Sequence, residues 1–220
     1  MTPNFAQMID PGALTIVLTG TAIATVARCG WHDLRQTARA LAGLGRSTFD
    51  EDANRVALAK TVREIEARGP LCADVSLPPD PSLARGIKTY LRHSSLEEMH
   101  AVRRAERASR EVARNAAART FEYAGELAPV FGLVGTLFAI TQLVPAEGDV
   151  VENTMGAIAT AVLSTLYGVL TAHTLCIPLA RAIERQGERE ETERGELVDW
   201  FEGQMRNSAT ARLHPLKGAA

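Results

Sequence analysis

The side chains best placed to handle an ion in this sequence are hydroxyls set inside apolar stretches. Leu127 to Val144 and Met155 to Ala180 contain no Asp, Glu, Lys or Arg, yet the first holds Thr136 and Thr141 and the second holds Thr160, Ser164, Thr165, Thr171 and Thr174. A hydroxyl offers one donor and two acceptor lone pairs. It can pass a proton or lend an oxygen to Na⁺, but it cannot supply a charge. An intramembrane carboxylate is the usual mark of an ion-binding or proton-relay site, so any such group would have to come from another chain. On a helix, Gly156, Thr160, Ser164, Tyr167 and Thr171 share one narrow polar face, and Gly132, Gly135 and Ala139 form a small-residue face. Taken singly, these residues have a plain reading: Ser and Thr bond back to the preceding turn, and glycines let helices approach. Function would have to come from their combination.

Little else in the chain invites chemistry. Cys29, Cys72 and Cys176 lack the spacing of a zinc site or a redox pair and read as free thiols. His173 reads as a packing residue near the end of its stretch. No nucleophile–base pairing, Gly-rich phosphate loop or metal-ligand cluster stands out, so neither catalytic residues nor a metal or other cofactor is expected, and the chain reads as no enzyme. With 24 basic and 26 acidic residues the formal charge is −2, which argues against nucleic acid as a partner. The Arg and Glu runs at 103–119 and 181–196 read as solvated helix faces.

The elements that must carry the hydroxyls follow from the hydropathy pattern. Apolar residues gather into three blocks within 220 residues, the pattern of an all-α integral membrane protein with a large aqueous part. A first transmembrane helix is expected over 11–28, with Asp10 and Pro11 suited to its N-cap and first turn. Residues 29–125 are hydrophilic and predict a helix over Asp50 to Arg68 with a stripe of Val56, Ala59, Val62 and Ile65. A Pro-rich break, GPLCADVSLPPDP, follows. A long helix then opens at a Ser95/Glu98 capping box and runs without Gly or Pro to Tyr123, on into the membrane. The second span is expected over 126–144, a loop over 145–154, and the third span over 155–180, with a tail over 181–220. No Lys or Arg precedes the first span or lies in the loop, while Arg28, Arg35, Arg39, Arg110, Arg114, Arg119, Arg181 and Arg185 flank the opposite ends. The positive-inside rule therefore puts residues 1–10 and the loop in the periplasm, and 29–125 and the tail in the cytoplasm. Trp31, Trp200 and Phe201 read as interface anchors or core.

Two segments, APVFGLVGTLFAI from Ala128 and AVLSTLYGVLTAHTLCIPLA from Ala161, resemble the MotA/TolQ/ExbB proton-channel family. The second is most similar to the flagellar-stator branch, whereas the three-span layout matches the TolQ and ExbB branches, which often carry a Glu where this chain has Thr160. The resemblance implies a homopentameric ring in the bacterial inner membrane around two copies of a MotB/TolR/ExbD-like single-span partner bearing an essential Asp. It implies that Thr136 and Thr165 line the ion path, with Ser164 beside them and Thr160 on the same helix. Pro129 and Pro178 would occupy the stator's two proline positions, and Gly132, Gly135 and Tyr167 would serve the partner interface. The coupling ion would be H⁺, with Na⁺ compatible, and ion-motive force would become mechanical work. The competing reading is a non-conducting scaffold or signalling platform of the same fold.

Overall fold

The computed structural model describes residues 10–44, 49–69, 76–142 and 150–213, with side chains described only over 154–208 of the last segment. Residues 1–9, 45–48, 70–75 (with Cys72 and part of the Pro-rich break), 143–149 (the end of the expected second span and half of the loop) and 214–220 lie outside the described residues. The described residues form only helices: α1 (Pro11–Arg28), α2 (Trp31–Gly43), α3 (Glu51–Arg68), α4 (Pro81–His93), α5 (Leu96–Thr141), α6 (Val150–Leu170), a π-helical turn (Thr171–Cys176) and α7 (Ile177–Leu213). Three runs, within α1, within α5 and from Thr154 to Ser208, are long and apolar enough to cross a membrane.

Local chemistry explains most helix ends. Asp10 caps α1, its Oδ1 accepting from the N–H groups of Gly12 (2.9 Å) and Ala13 (3.2 Å), with Pro11 at the first position where an N–H would be wasted. Extended backbone at Cys29 ends the helix. Ser95 opens α5, its Oγ accepting from Glu98 N–H at 3.3 Å. The α5 helix then runs 46 residues without a break. The structure differs from the expectations at four points. Helices α2 and α4 occupy stretches to which the sequence reading assigns no element, and helix α6 begins at Val150, five residues before the expected third span. The third span is not uniform α-helix: Pro178 has no N–H to offer the preceding turn, and Ile177 N–H bonds to the Ala172 carbonyl, one residue further back than in an α-helix. On α3 the buried face is Asn54, Leu58, Thr61, Val62 and Ile65, while Val56 is 55 % exposed.

The chain divides into two compact units. Residues up to Ala42 together with 113–184 form the first, which contains α1, nearly all of α2, the apolar part of α5, and α6. There the C-terminal end of α1 is tied to α5, with Arg28 3.3 Å from Glu126 and stacked 4.0 Å above the Tyr123 ring.

Residues 43–112 and 185–220 form the second unit. Its core joins Leu58, Val62 and Ile65 to Leu83, Ile87, Met99, Leu197 and Phe201, and Phe201 meets Tyr90 edge-on at 5.6 Å. Inside lies a charged knot. Asp80 caps α4, accepting from Ser82 and Leu83 N–H, and its other oxygen takes Arg194 Nε at 3.0 Å. Arg194 also reaches Glu190 at 3.2 Å and stacks on Phe49 at 4.7 Å, while Arg110 grips Glu191 with two bonds of 3.0 Å. The Arg194 and Asp80 side chains are only 9 % and 7 % exposed. Removing one partner of a buried pair leaves an unpaired charge, so Arg194→Met is expected to cost about 3–5 kcal/mol, and adding Asp80→Asn, which keeps the cap, should return part of it. Thermal unfolding followed by circular dichroism checks both values.

Candidate functional site

The α5–α6 hairpin is where the predicted hydroxyls and small residues sit, and its helices touch backbone to backbone. A methyl group in place of the Gly168 hydrogen would lie 2.6 Å from the Ala128 carbonyl oxygen and 3.1 Å from the Cα atoms of Pro129 and Gly132. One at Gly132 would lie 3.0 Å from the Ser164 carbonyl oxygen and 3.2 Å from Thr165 Cα, and one at Gly135 would strike the Ser164 side chain at 2.8 Å. Ala128, Ala139 and Ser164 are buried at 2 % exposure or less. The expected small-residue face is thus the seam of the hairpin, and it brings Pro129, Gly132, Gly135, Ser164, Thr165 and Gly168 together. Pro178 lies apart from that seam and is exposed; its consequence is the π-helical turn.

Most hydroxyls in the hairpin are spent on their own helices. Thr136 Oγ1 donates to the Leu133 carbonyl at 2.6 Å, Thr141 to Phe138 at 2.7 Å, Ser164 to Thr160 at 2.7 Å and Thr174 to Leu170 at 2.6 Å. Thr165 points at the Ala161 carbonyl at a long 3.5 Å. With the hydrogen turned inward, each oxygen presents lone pairs outward. Ser164 is enclosed by the hairpin, whereas Thr136 and Thr165 are half-buried, so these two can meet a group from outside.

Thr160 and Tyr167 behave differently, and they expose the residue that the sequence reading passed over. Thr160 Oγ1 donates to Asp10 Oδ2 at 2.7 Å, and Asp10 N–H donates to the Tyr167 hydroxyl oxygen at 2.9 Å. The head of α1 is therefore clasped by α6 through residues 150 positions apart. Asp10 is visible in the sequence only as a cap; its second oxygen gains a partner through tertiary packing alone. The Thr160 hydroxyl bond chiefly, opposed by partial burial and helped by the N–H groups of Ala13 and Gly12, holds the Asp10 carboxyl below its ordinary value. Asp10 accordingly stays ionised at neutral pH, which suits a clasp and not a proton acceptor working near neutrality. His173 is exposed within the π turn.

The sequence pattern of the MotA/TolQ/ExbB proton channel family matches residues 75–196, which include the whole hairpin. The chain belongs to this family. Among similar proteins, the uncharacterized protein YtxD of Bacillus subtilis is 33 % identical over 112 residues, 50 % of this chain and 40 % of YtxD. The chain thus spans well under half the length of that relative. Motility protein A of B. subtilis is 23 % identical over 195 residues, 85 % of this chain and 70 % of the relative. Among solved structures, C. jejuni MotAB superposes with a TM-score of 0.80 at 16 % identity, covering 93 % of this chain and 81 % of that one. The flagellar MotAB stator complex of B. subtilis gives 0.75 at 21 % identity, covering 98 % and 90 %. The all-helical fold, with its three apolar runs long enough to cross a membrane, is similar to that of these two MotAB structures.

The seam generates a direct test. Gly168→Ala must push α5 and α6 apart against backbone atoms that cannot rotate away, an overpacking that costs about 1–3 kcal/mol. Gly156, where an added methyl would meet nothing within 4 Å, is the control. The detergent-solubilised protein should lose thermal stability with Gly168→Ala and keep it with Gly156→Ala.

Proposed function

We propose that this chain is the channel-wall subunit of a bacterial inner-membrane complex that converts ion-motive force into mechanical work. It would act as a homopentamer around two copies of a MotB/TolR/ExbD-like single-span subunit, which supplies the Asp, and it would have no enzymatic role. The observation that carries this reading is that the apolar stretches of the hairpin, Leu127–Val144 and Met155–Ala180, hold no carboxylate while the half-buried Thr136 and Thr165 turn oxygen lone pairs outward. Family membership supports it, and two structures of similar fold are MotAB complexes.

In this reading Thr136 and Thr165 line the path, Ser164 stiffens the wall behind them, and Thr160 sits with the clasp at the head of α1. Lone pairs suit a carboxylic acid, whose O–H they can accept, better than a carboxylate, which is itself only an acceptor. Protonation of the partner's Asp lets it rest against the wall, and loss of the proton drives it onward. A charge crossing the membrane supplies about 2.3 kcal/mol per 100 mV for that movement. The same oxygens could coordinate Na⁺, with H⁺ the coupling ion favoured here. Rotation of the ring about the partner is the resulting motion.

The hydroxyls' bonds to their own helices would equally serve a non-conducting scaffold, so conduction must be measured. Thr136→Val and Thr165→Val keep shape and remove the hydroxyl, at a structural cost of roughly 1 kcal/mol. Ion flux through the complex copurified with its partner should fall sharply, while pentamer yield by native mass spectrometry stays near normal and the exposed Ser109→Ala changes nothing. Wild-type flux in both variants would favour the scaffold.

The proposed orientation places both the loop and the N-terminus in the periplasm and the tail in the cytoplasm, following the basic residues beside each span. In a background with the native cysteines replaced, a cysteine at Gly148 should react with an impermeant thiol reagent on intact cells. One at Ala67, exposed on α3, should react only after lysis. The reverse pattern would invert the topology.

A further inference from the structure

We propose that α2 is a membrane-surface helix whose outer face binds the anionic phospholipid headgroups of the leaflet that α1 leaves at Arg28. The inference rests on the reading of α1 as a span. Only Cys29 and Gly30 separate the two helices, and the extended backbone of Cys29 (φ −91°, ψ 140°) takes the chain off the α1 helix path before the Gly30 carbonyl accepts the N–H groups of Asp33 (3.0 Å) and Leu34 (3.2 Å) to start α2. A helix beginning two residues after a span begins at the interface.

The faces of α2 fit that position. Trp31, 81 % exposed, heads an outward stripe continued by Leu34, Ala38, Leu41 (41 % exposed) and Ala42. Arg35 and Arg39 stand exposed along one edge of the stripe, and neither has a carboxylate partner among the described residues. Asp33, the helix's only acid, lies on the other side with Thr37, which is buried, and Ala40. Apolar and aromatic side chains beside unpaired arginines, with the acid turned away, are what a helix needs to sit among headgroups. Trp31 would rest at the headgroup level, the aliphatic residues would enter the acyl boundary, and the guanidiniums would bond phosphate oxygens. Charge decides the lipid class: two unpaired cations favour an anionic headgroup over a zwitterionic one.

The protein contains two tryptophans, so Trp200→Phe leaves Trp31 as the sole reporter in the full chain. Reconstituted in nanodiscs of mixed phosphatidylcholine and phosphatidylglycerol, Trp31 should be quenched by brominated acyl chains, and more by brominated phosphatidylglycerol than by brominated phosphatidylcholine at equal mole fraction. Arg35→Gln and Arg39→Gln should each lower that relative affinity by about fivefold while Trp31 remains quenched by the total brominated lipid. Water-like, unquenched emission would overturn the proposal. So would blue-shifted emission without quenching, which means a protein surface covers the face, or equal quenching by both lipids. Ile23→Trp in a Trp31→Phe, Trp200→Phe background reports on α1 itself, where Ile23 is 68 % exposed. Its quenching separates a failure of the α2 proposal from a failure of the span reading.

Discussion

The contact on which the hairpin depends is the approach of α6 to the α5 backbone at Gly168, where a methyl group would fall 2.6 Å from the Ala128 carbonyl oxygen. Between helices that both face lipid, burying apolar surface brings little, because the lipid tails are as apolar as the side chains. Attraction has to come from dispersion at close range, and only hydrogen or small side chains on both surfaces permit it. Gly132, Gly135, Ala139 and Ser164 extend the seam, and the bulky residues Leu133, Leu137, Phe138, Val162 and Leu166 are displaced to the outside, where they are 39 % exposed or more.

That constraint also explains where the hydroxyls go. In an apolar surrounding every donor must find an acceptor, and the nearest is a carbonyl one turn back. Thr136, Thr141, Ser164 and Thr174 adopt this arrangement. It leaves oxygens without charge facing outward. In the proposed function, a wall past which a partner's acid would move, rather than bind once and stay, would benefit from such weak and repeated contacts. Asp10 is the contrasting case: three hydrogen bonds converge on its carboxylate while its own N–H donates to Tyr167, and it serves to fasten α1 to α6.

The second unit solves the opposite problem with the opposite materials. Its exposed faces carry charged residues such as Arg55, Arg63, Glu66 and Arg68, as a surface in water does, so apolar burial around Leu58, Leu197 and Phe201 does bring stability. The buried Asp80–Arg194 pair then contributes mainly direction, because one carboxylate both caps α4 and receives the guanidinium of α7. Desolvation makes such pairs poor net stabilisers but costly to break.

The sequence by itself determined the all-helical class, the three apolar blocks, the Asp10 and Ser95 caps, the uninterrupted α5 and the division between hydroxyl-bearing and glycine-bearing faces. Each of these follows from composition or spacing along a single helix. It did not reveal α2 or α4. Neither helix has more than 13 residues, and for α4 what holds it is packing: Leu83 and Ile87 against a core assembled from α3, α5 and α7. Nor could it choose the buried face of α3, where Asn54 is turned inward because its side-chain oxygen accepts the Asp80 N–H. The π turn and the second partner of Asp10 were likewise settled by tertiary structure. Helical periodicity says which residues share a face, but what that face meets depends on residues far away in the chain, as Asp10 and Thr160 show.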